Sequence, residues 1–369
     1  MKLLIAGGGT GGHLFPGIAV AEEFLSRDPA NQVLFVGTER GVEAKVLPRL
    51  GYSLRLISAS GLRGKGASGL FAGLGRFLYS YSQSRQILKD FMPDMVLGVG
   101  GYASAPVLMA ARGMLIPRFV HEQNAYPGMA NKVLSRFAAE VYISLEEAAR
   151  FFPKETTVLT GNPLRRQILD IVAAATPPSA REREPGELGE FHLLVFGGSL
   201  GAHSINMAMA AAAPLLAGLG GTFSVTHQTG EKDRDDVAAA YAASGIRAEV
   251  VPFIDDMAAA YRLADLVVCR AGATTIAEVT ACGKPCLFIP YPHAVDDHQR
   301  RNAEALLKKG AAEMLLEREL SPQHLVETIT GLAGDREKLN QLGSNARAVG
   351  RTDAGKVIVD RMLDRIGQR

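Results

Sequence analysis

Gly7, Gly9 and Gly12 stand in the spacing G-x-G-x-x-G, after a short apolar run and before a helix-like one. Glycines at such a turn let a ligand approach the backbone, and the helix start beyond it favours an anion. With Glu39 after the second apolar run as a ribose acceptor, the pattern describes a dinucleotide site and an NAD-dependent oxidoreductase. The same physics serves a sugar diphosphate, so the glycines leave both ligands open. His13 comes next, in a first helical turn whose positive end disfavours imidazolium. A neutral imidazole is what a general base needs near neutral pH. Glu122 and His121 are rival bases at the end of a later strand, where α/β enzymes place site residues.

A second constellation, RAGATTIAE from Arg270 to Glu278, comes after the strand-like DLVVC and opens a helix. Gly272, Ala273, Thr274 and Thr275 offer small side chains and unpaired backbone N–H groups to a diphosphate. Glu278 lies about a turn and a half into that helix, where a carboxylate can accept both hydrogens of a ribose diol. The plainer reading is that Thr274 caps the helix and Glu278 rests on its surface. His293, Asp296, Asp297 and His298 have ligand-like spacing. Helix N-termini already supply positive potential for a leaving diphosphate, so no metal is expected.

Elements must bring these residues together. Short β-rich runs predict strands at 2–7, 32–37, 54–58, 95–99, 118–121, 140–144 and 157–160. In the second half they fall at 191–197, 222–227, 248–252, 265–269, 285–290 and 312–316. Stretches rich in Ala and Leu, such as 14–26, 102–112, 127–138, 202–217, 272–282 and 297–309, predict helices between them. The alternation predicts α/β architecture, with parallel sheets covered on both faces. Segment 170–190, rich in Pro, Gly and mixed charge, separates two halves that each restart with a strand and a glycine loop, GGGTGG and GGSLGA. Two Rossmann-like domains facing a deep cleft are expected, residues 1–165 and 166–349. The helical end of the chain, from about 350, is expected to pack back on the first.

Length agrees with two domains, since 369 residues exceed one ordinary core. A net charge of +2 gives no support to a nucleic-acid partner. Cys269, Cys282 and Cys286 form no C-x-x-C pair and fit a reducing compartment; Cys282 and Cys286 read as packing residues. MKLLIAG runs straight into a glycine loop and reads as a strand rather than a signal peptide. Residues 191–230 lack Asp, Glu, Lys and Arg, but glycines, Pro214 and polar residues interrupt them too often for a transmembrane span.

The whole arrangement resembles one family. GGGTGGHLFPG (7–17), GVGGYASAP (98–106), HEQNAYPGMANK (121–132) and TGNPLR (160–165) carry the likeness in the first half. FGGSLGA (196–202), FIDDM (253–257), CRAGATTIAE (269–278) and PYPHAVDDHQRRNAE (290–304) carry it in the second. In order and spacing these motifs resemble the MurG family of bacterial glycosyltransferases, which have the GT-B fold. Its members transfer N-acetylglucosamine from UDP-N-acetylglucosamine to undecaprenyl-pyrophosphate-linked muramyl-pentapeptide, a step of peptidoglycan synthesis tied to cell shape and division.

The resemblance implies roles by position. The backbone of Ile254 would read uracil, and Glu278 would hold the ribose diol. Ser199 and Arg165 would meet the diphosphate. Ala273, Thr274, Thr275, Ile276 and Ala277 would line the same pocket, and Gln299 would contact the sugar. Thr10, Gly11, Gly12 and Asn124 of the first domain would close on the N-acetylglucosamine. His13 or Glu122 would activate the acceptor hydroxyl. The chain departs from the pattern at Leu200, where members often carry a polar residue, and by about one residue around Gln299, where His298 is a neighbour able to substitute. No cofactor is implied. Partners would be the two substrates, an anionic membrane surface, and cell-wall and division proteins. The first domain would bind the acceptor and the second the donor.

A lipid-linked acceptor implies a peripheral protein at the cytoplasmic face of the plasma membrane. Within 62–81, Leu70, Phe71, Leu74, Phe77, Leu78 and Tyr81 recur at helical spacing, flanked by Arg63, Lys65, Arg76 and Arg85, with Lys132 and Arg136 as further basic residues. The competing reading makes this stripe the core side of a helix. A diacylglycerol sugar transferase would share the fold, but HEQN and SGLRGKG argue against it. A non-catalytic sugar-nucleotide sensor would keep the donor pocket, and the intact first loop with His13 weighs against that.

Overall fold

The computed structural model describes residues 1–39, 41–59, 67–174, 191–198, 201–218 and 223–367, with side chains from 73 onward in the third stretch. Two compact units result, Met1–Arg165 with Thr352–Arg369, and Arg166–Arg351.

In the first unit, β1 (Lys2–Gly7), β2 (Gln32–Gly37), β3 (Ser53–Leu56), β4 (Met95–Gly100), β5 (Arg118–Glu122), β6 (Glu140–Ile143) and β7 (Thr157–Leu159) form one parallel sheet. Its order is β3-β2-β1-β4-β5-β6-β7. The order reverses between β1 and β4, the point where doubly wound sheets bind ligands at their carboxyl ends. Connecting helices are α1 (Gly11–Arg27), α2 (Glu43–Arg49), α3 (Ala67–Phe91), α4 (Ser104–Gly113) and α5 (Met129–Leu134). The central strands bury both faces, as continuous apolar runs such as LLIA and MVLGV require. Leu4, Ala6 and Val96 face a layer with α4, whereas Leu3, Ile5 and Leu97 face α1.

The second unit repeats the plan. β8 (Phe191–Phe196), β9 (Phe223–Gln228), β10 (Arg247–Val251), β11 (Leu266–Cys269), β12 (Cys286–Phe288) and β13 (Glu313–Met314) order as β10-β9-β8-β11-β12-β13, again parallel. Its helices are α6 (Arg166–Ala174), α7 (His203–Ala217), α8 (Arg234–Ala243), α9 (Met257–Leu263), α10 (Ala273–Ala281), α11 (His298–Leu307), α12 (Pro322–Gly334) and α13 (Arg336–Val349). Side-chain caps punctuate the sequence: Asp256, Ser321 and Asp335 accept from the N–H groups of Ala259, His324 and Lys338.

The final helix, α14 (Ala354–Gly367), lies on α1 of the first unit. Ile358, Val359 and Met362 enter the core around Phe24, and Arg361 and Arg365 close on the buried Glu140 carboxylate at 2.7 to 3.0 Å. Burial alone would raise that carboxyl, but the two guanidinium groups hold it below the ordinary carboxylate range.

Some expected boundaries change. α6 occupies the start of the stretch expected to be a linker, because RQILDIVAA has an apolar face that packs on α9. The helix expected over 127–138 is shorter, beginning after Gly128 and tightening into a 3₁₀ turn at Ser135–Phe137. In the stretches expected as strands at 285–290 and 312–316, only Cys286–Phe288 and Glu313–Met314 pair, near the sheet edge.

Candidate functional site

At the switch point of the first sheet, Gly7 and Gly100 lie side by side, and the Gly8 N–H donates to the Gly100 carbonyl at 3.3 Å. A side chain at Gly7 would strike that carbonyl. The loop therefore turns tightly into α1, where Thr10 is the N-terminal boundary and its hydroxyl makes no capping bond. Thr10 is exposed, while Gly11, Gly12 and His13 are half-buried in the first turn.

A carboxylate from within the chain already engages this loop. Glu43, buried at the start of α2, accepts from the Gly9 N–H at 2.7 Å and from the Thr38 N–H and hydroxyl at 2.8 and 3.1 Å. Side chains at Gly8, Gly37 or Gly41 would collide with it. The dinucleotide reading is corrected here: the Gly9 N–H is already taken by the buried Glu43 side chain, which occupies the space a phosphate would need. Sequence reasoning missed Glu43, although the separated glycines Gly8, Gly37 and Gly41 leave the space for it.

The HEQN segment ends β5. His13 Nδ1 lies 3.0 Å from Gln123 Oε1, and Gln123 also bonds the Val99 carbonyl and His121. Burial pushes His121 down to about 4, opposed by its bond to the Gly161 carbonyl and assisted by nearby His13. His121 is a neutral core group, fully covered. Glu122 is also buried, and its oxygens accept from the Asn124 N–H (3.0 Å) and amide (3.2 Å), the Gly128 N–H (3.3 Å) and the Asn131 amide (2.8 Å). Four donors on one carboxylate brace the 124–131 loop. Asn124 is thereby held half-buried beside the β5 terminus. Arg165 closes the first unit, its guanidinium 5.4 Å from the Phe15 ring of α1.

In the second unit, Ser199 and Leu200 of the glycine loop lie outside the described residues. Gln228, at the end of β9, ties Gly198 of that loop to the segment expected to read the base. It donates to the Gly198 carbonyl at 2.7 Å and accepts from the Ile254 N–H at 2.8 Å. The Asp256 cap on α9 sets Ile254 two residues before the helix boundary. Ile254 therefore has its N–H engaged in this state. Gln228 carried no signal in the sequence, since its role exists only once β9 and the 252–255 loop meet.

The plainer reading of α10 is not what folds. Gly272, not Thr274, is the helix boundary; the Thr274 hydroxyl oxygen is buried and has no hydrogen-bond partner among the described residues. Glu278 is 3% exposed and accepts from the Tyr261 hydroxyl at 3.1 Å. Ala273 and Ile276 are buried, and Thr275 and Ala277 half-buried, on the same helix. Gln299 accepts from the Tyr291 N–H at 3.0 Å, which pins the loop before α11. His298 bonds the Val295 carbonyl at 2.8 Å through Nδ1. Among the described residues no three His, Cys, Asp or Glu side chains cluster closely enough to hold a metal, so the spacing of His293 to His298 does not become a ligand set. Cys269 and Cys286 touch at 3.6 Å inside the sheet, and burial pushes the Cys282 thiol up to about 11.

Comparisons with known proteins cover both halves of the chain. Residues 3–143 match the glycosyltransferase family 28 N-terminal domain, and residues 192–358 match the glycosyltransferase family 28 C-terminal domain. The chain is 63% identical over 363 residues to the UDP-N-acetylglucosamine–N-acetylmuramyl-(pentapeptide) pyrophosphoryl-undecaprenol N-acetylglucosamine transferase of Geobacter metallireducens, covering 98% of both chains. It is 62% identical over 373 residues to the enzyme of that name from Trichlorobacter lovleyi, covering 99% of this chain and 98% of that one. A crystal structure of Acinetobacter baumannii MurG superposes with a TM-score of 0.79 at 31% identity, over 98% of this chain and 99% of that one.

Proposed function

The chain belongs to glycosyltransferase family 28, with the GT-B fold, and from that premise we propose that it moves N-acetylglucosamine from UDP-N-acetylglucosamine to undecaprenyl-pyrophosphoryl-N-acetylmuramyl-pentapeptide. The single observation that carries this is the identity of 62 to 63% with transferases of that name over nearly the whole of each chain. The reaction is an inverting displacement at the anomeric carbon by the muramyl 4-hydroxyl, releasing UDP.

The second unit binds the donor. Glu278 holds the ribose diol, oriented by Tyr261, and Ile254 with its Gln228 partner presents backbone to uracil. The α10 N-terminus and the loop before α7 stabilise charge on the leaving diphosphate, with Ser199 and Arg165 as further contacts. Ala273, Thr274, Thr275, Ile276 and Ala277 line the pocket, and Gln299 meets the sugar. The first unit binds the acceptor, with Thr10, Gly11, Gly12 and Asn124 around the reacting sugars. His13 is the base, because the residue is half-buried rather than fully covered and its Nδ1 is aligned by Gln123. Glu122 acts as the brace of the HEQN loop rather than as a second base, since loop donors occupy its oxygens.

The acceptor's lipid tail calls for a membrane surface on the first unit. No helix among the described residues is long and apolar enough to cross a bilayer. On α3, Leu74 and Leu78 are exposed by 52 and 58% while Ser80, Ser84 and Leu88 face inward. Leu115, in a left-handed turn after α4, is 82% exposed, and Met129 and Val133 are exposed on α5. Arg76 and Arg85 are exposed on α3, Arg136 is exposed just after α5, and Lys132 is half-buried on α5. Apolar side chains beside basic ones suit the interface of an anionic membrane. The deciding experiment tracks label from UDP-N-acetylglucosamine into the lipid-linked muramyl-pentapeptide, with other UDP-sugars and diacylglycerol as controls. Transfer to diacylglycerol instead would overturn the acceptor assignment.

A further inference from the structure

We propose that Gln123 sets the tautomer of His13, keeping its hydrogen on Nδ1 so that Nε2 carries the lone pair that receives the acceptor's proton. The inference rests on His13 being the base, and deepens it by naming the atom and what fixes it. The assignment comes from groups that can only accept. The Val99 carbonyl lies 2.8 Å from the Gln123 amide, and a carbonyl cannot donate, so the nitrogen end of the amide faces Val99. The oxygen end therefore faces His13, 3.0 Å from Nδ1. An amide oxygen cannot donate either, so Nδ1 carries the hydrogen. In the neutral ring Nε2 is then bare, and it takes no hydrogen-bond partner among the described residues.

The other side of the network admits the same single arrangement. The second hydrogen of the Gln123 nitrogen meets His121 Nδ1 at 3.1 Å, which makes that nitrogen an acceptor. The hydrogen of His121 then sits on Nε2, directed to the Ser144 hydroxyl at 3.2 Å and the Gly161 carbonyl at 3.4 Å. Turning the Gln123 amide over would set two acceptors face to face at Val99 and deprive His121 of its donor. Every member but the half-exposed His13 and Ser144 is buried, so these mismatches would be costly. Burial keeps His121 neutral to about pH 4, so the network does not rearrange over the working range. Gly100 confines the ring from a further side: a Cβ there would sit 2.7 Å from His13 Nδ1. Gln123 touches no reacting atom and is a positioning residue, comparable in role to the third group that orients the histidine of a catalytic triad.

The test reads ring nitrogens directly. In the full-length protein labelled with ¹⁵N-histidine, His13 at a pH where it is neutral should show a protonated Nδ1 and an unprotonated Nε2. Gln123→Leu should release this preference, give a mixture of tautomers, and lower kcat by about tenfold or more with donor KM changed less than about twofold. The variant leaves buried acceptors unpaired, so its fold is checked by circular dichroism; the unmodified protein's spectrum decides the tautomer without it. A proton on Nε2 in the unmodified protein overturns the proposal, as does a folded Gln123→Leu with unchanged tautomer and kcat. Unchanged kcat in His13→Ala would instead remove the base assignment, while the spectrum still judges Gln123.

Discussion

Glu278 and Gly100 show how single residues divide the work. Glu278 reaches its place through the length of α10's first turns, and the Tyr261 hydroxyl fixes the direction of its carboxylate. Removing it takes away hydrogen bonds to a charged acceptor worth roughly 1.5–3 kcal/mol each. Glu278→Ala should therefore raise the donor KM by about tenfold or more and leave the acceptor KM unchanged, with Tyr261→Phe intermediate. Separate titration of the two substrates checks this, and an unchanged donor KM in a folded variant would take Glu278 out of the ribose site. Gly100 acts on the other substrate's chemistry. Its φ of +97° suits glycine, and any Cβ would press on the His13 ring. Gly100→Ala should displace the imidazole and cut kcat by about tenfold or more, because small misplacements of catalytic groups are expensive. The donor affinity of the folded variant should stay as it was, which equilibrium binding of UDP would show.

Among the elements, α3 is the instructive case. Its apolar residues predicted one stripe, and the folded helix divides them: Leu74 and Leu78 point to solvent, Tyr81 packs at the core margin, and Ser80 and Ser84 take the inward positions between helices. The two serines manage burial by donating to carbonyls a turn earlier, at 2.8 and 2.7 Å. Hydrophobicity alone could not tell which face was buried, because the inward face is partly polar. Leu70 and Phe71 of the expected stripe have side chains outside those described. If the exposed face meets lipid, Leu74→Ser with Leu78→Ser should leave the melting temperature nearly unchanged and weaken sedimentation with anionic vesicles. Leu88→Ala, in the core, should cost about 2–5 kcal/mol. Early melting of the double variant with normal vesicle binding would put the membrane surface elsewhere.

Over the whole molecule, each unit keeps a buried neutral histidine, His121 in the first and His227 in the second. His227 lies between Asn206 and Tyr241 at 3.1 Å each, and burial pushes it down to about 3. Both folded values lie below the ordinary histidine value of about 6.5, so the unfolded chain binds more protons between them. Stability is then full above about pH 6.5 and falls as pH drops toward 4 for His121 and toward 3 for His227. The slope should approach about 1.4 kcal/mol per pH unit for each histidine. Denaturant melts from about pH 7 to 4 measure it, and His227→Gln should flatten the second unit's share. A stability independent of pH across that window would mean that neither ring is shut away from water in solution.

The class of fold, the two glycine loops, the positions of His13 and Glu278 and the likeness of family are all readable from the chain alone. These are local signals: apolar runs of strand length, glycines where backbones must approach, and residues at fixed offsets from a helix start. Boundaries carried by glycine turns and apolar periodicity, as in α1 and α10, were legible within a few residues. Pairings between distant groups became legible only in the folded chain. Glu43 comes from a different helix to fill the first glycine loop, Glu122 turns its carboxylate to its own loop, and Gln123 and Gln228 join segments far apart in the chain. An amide or carboxylate has no role until its donors and acceptors are placed, and for Glu43, Gln123 and Gln228 some of these lie tens of residues away in the chain. Sequence spacing states which groups are available; the strand order, which reverses at β1 and β8, states which of them meet.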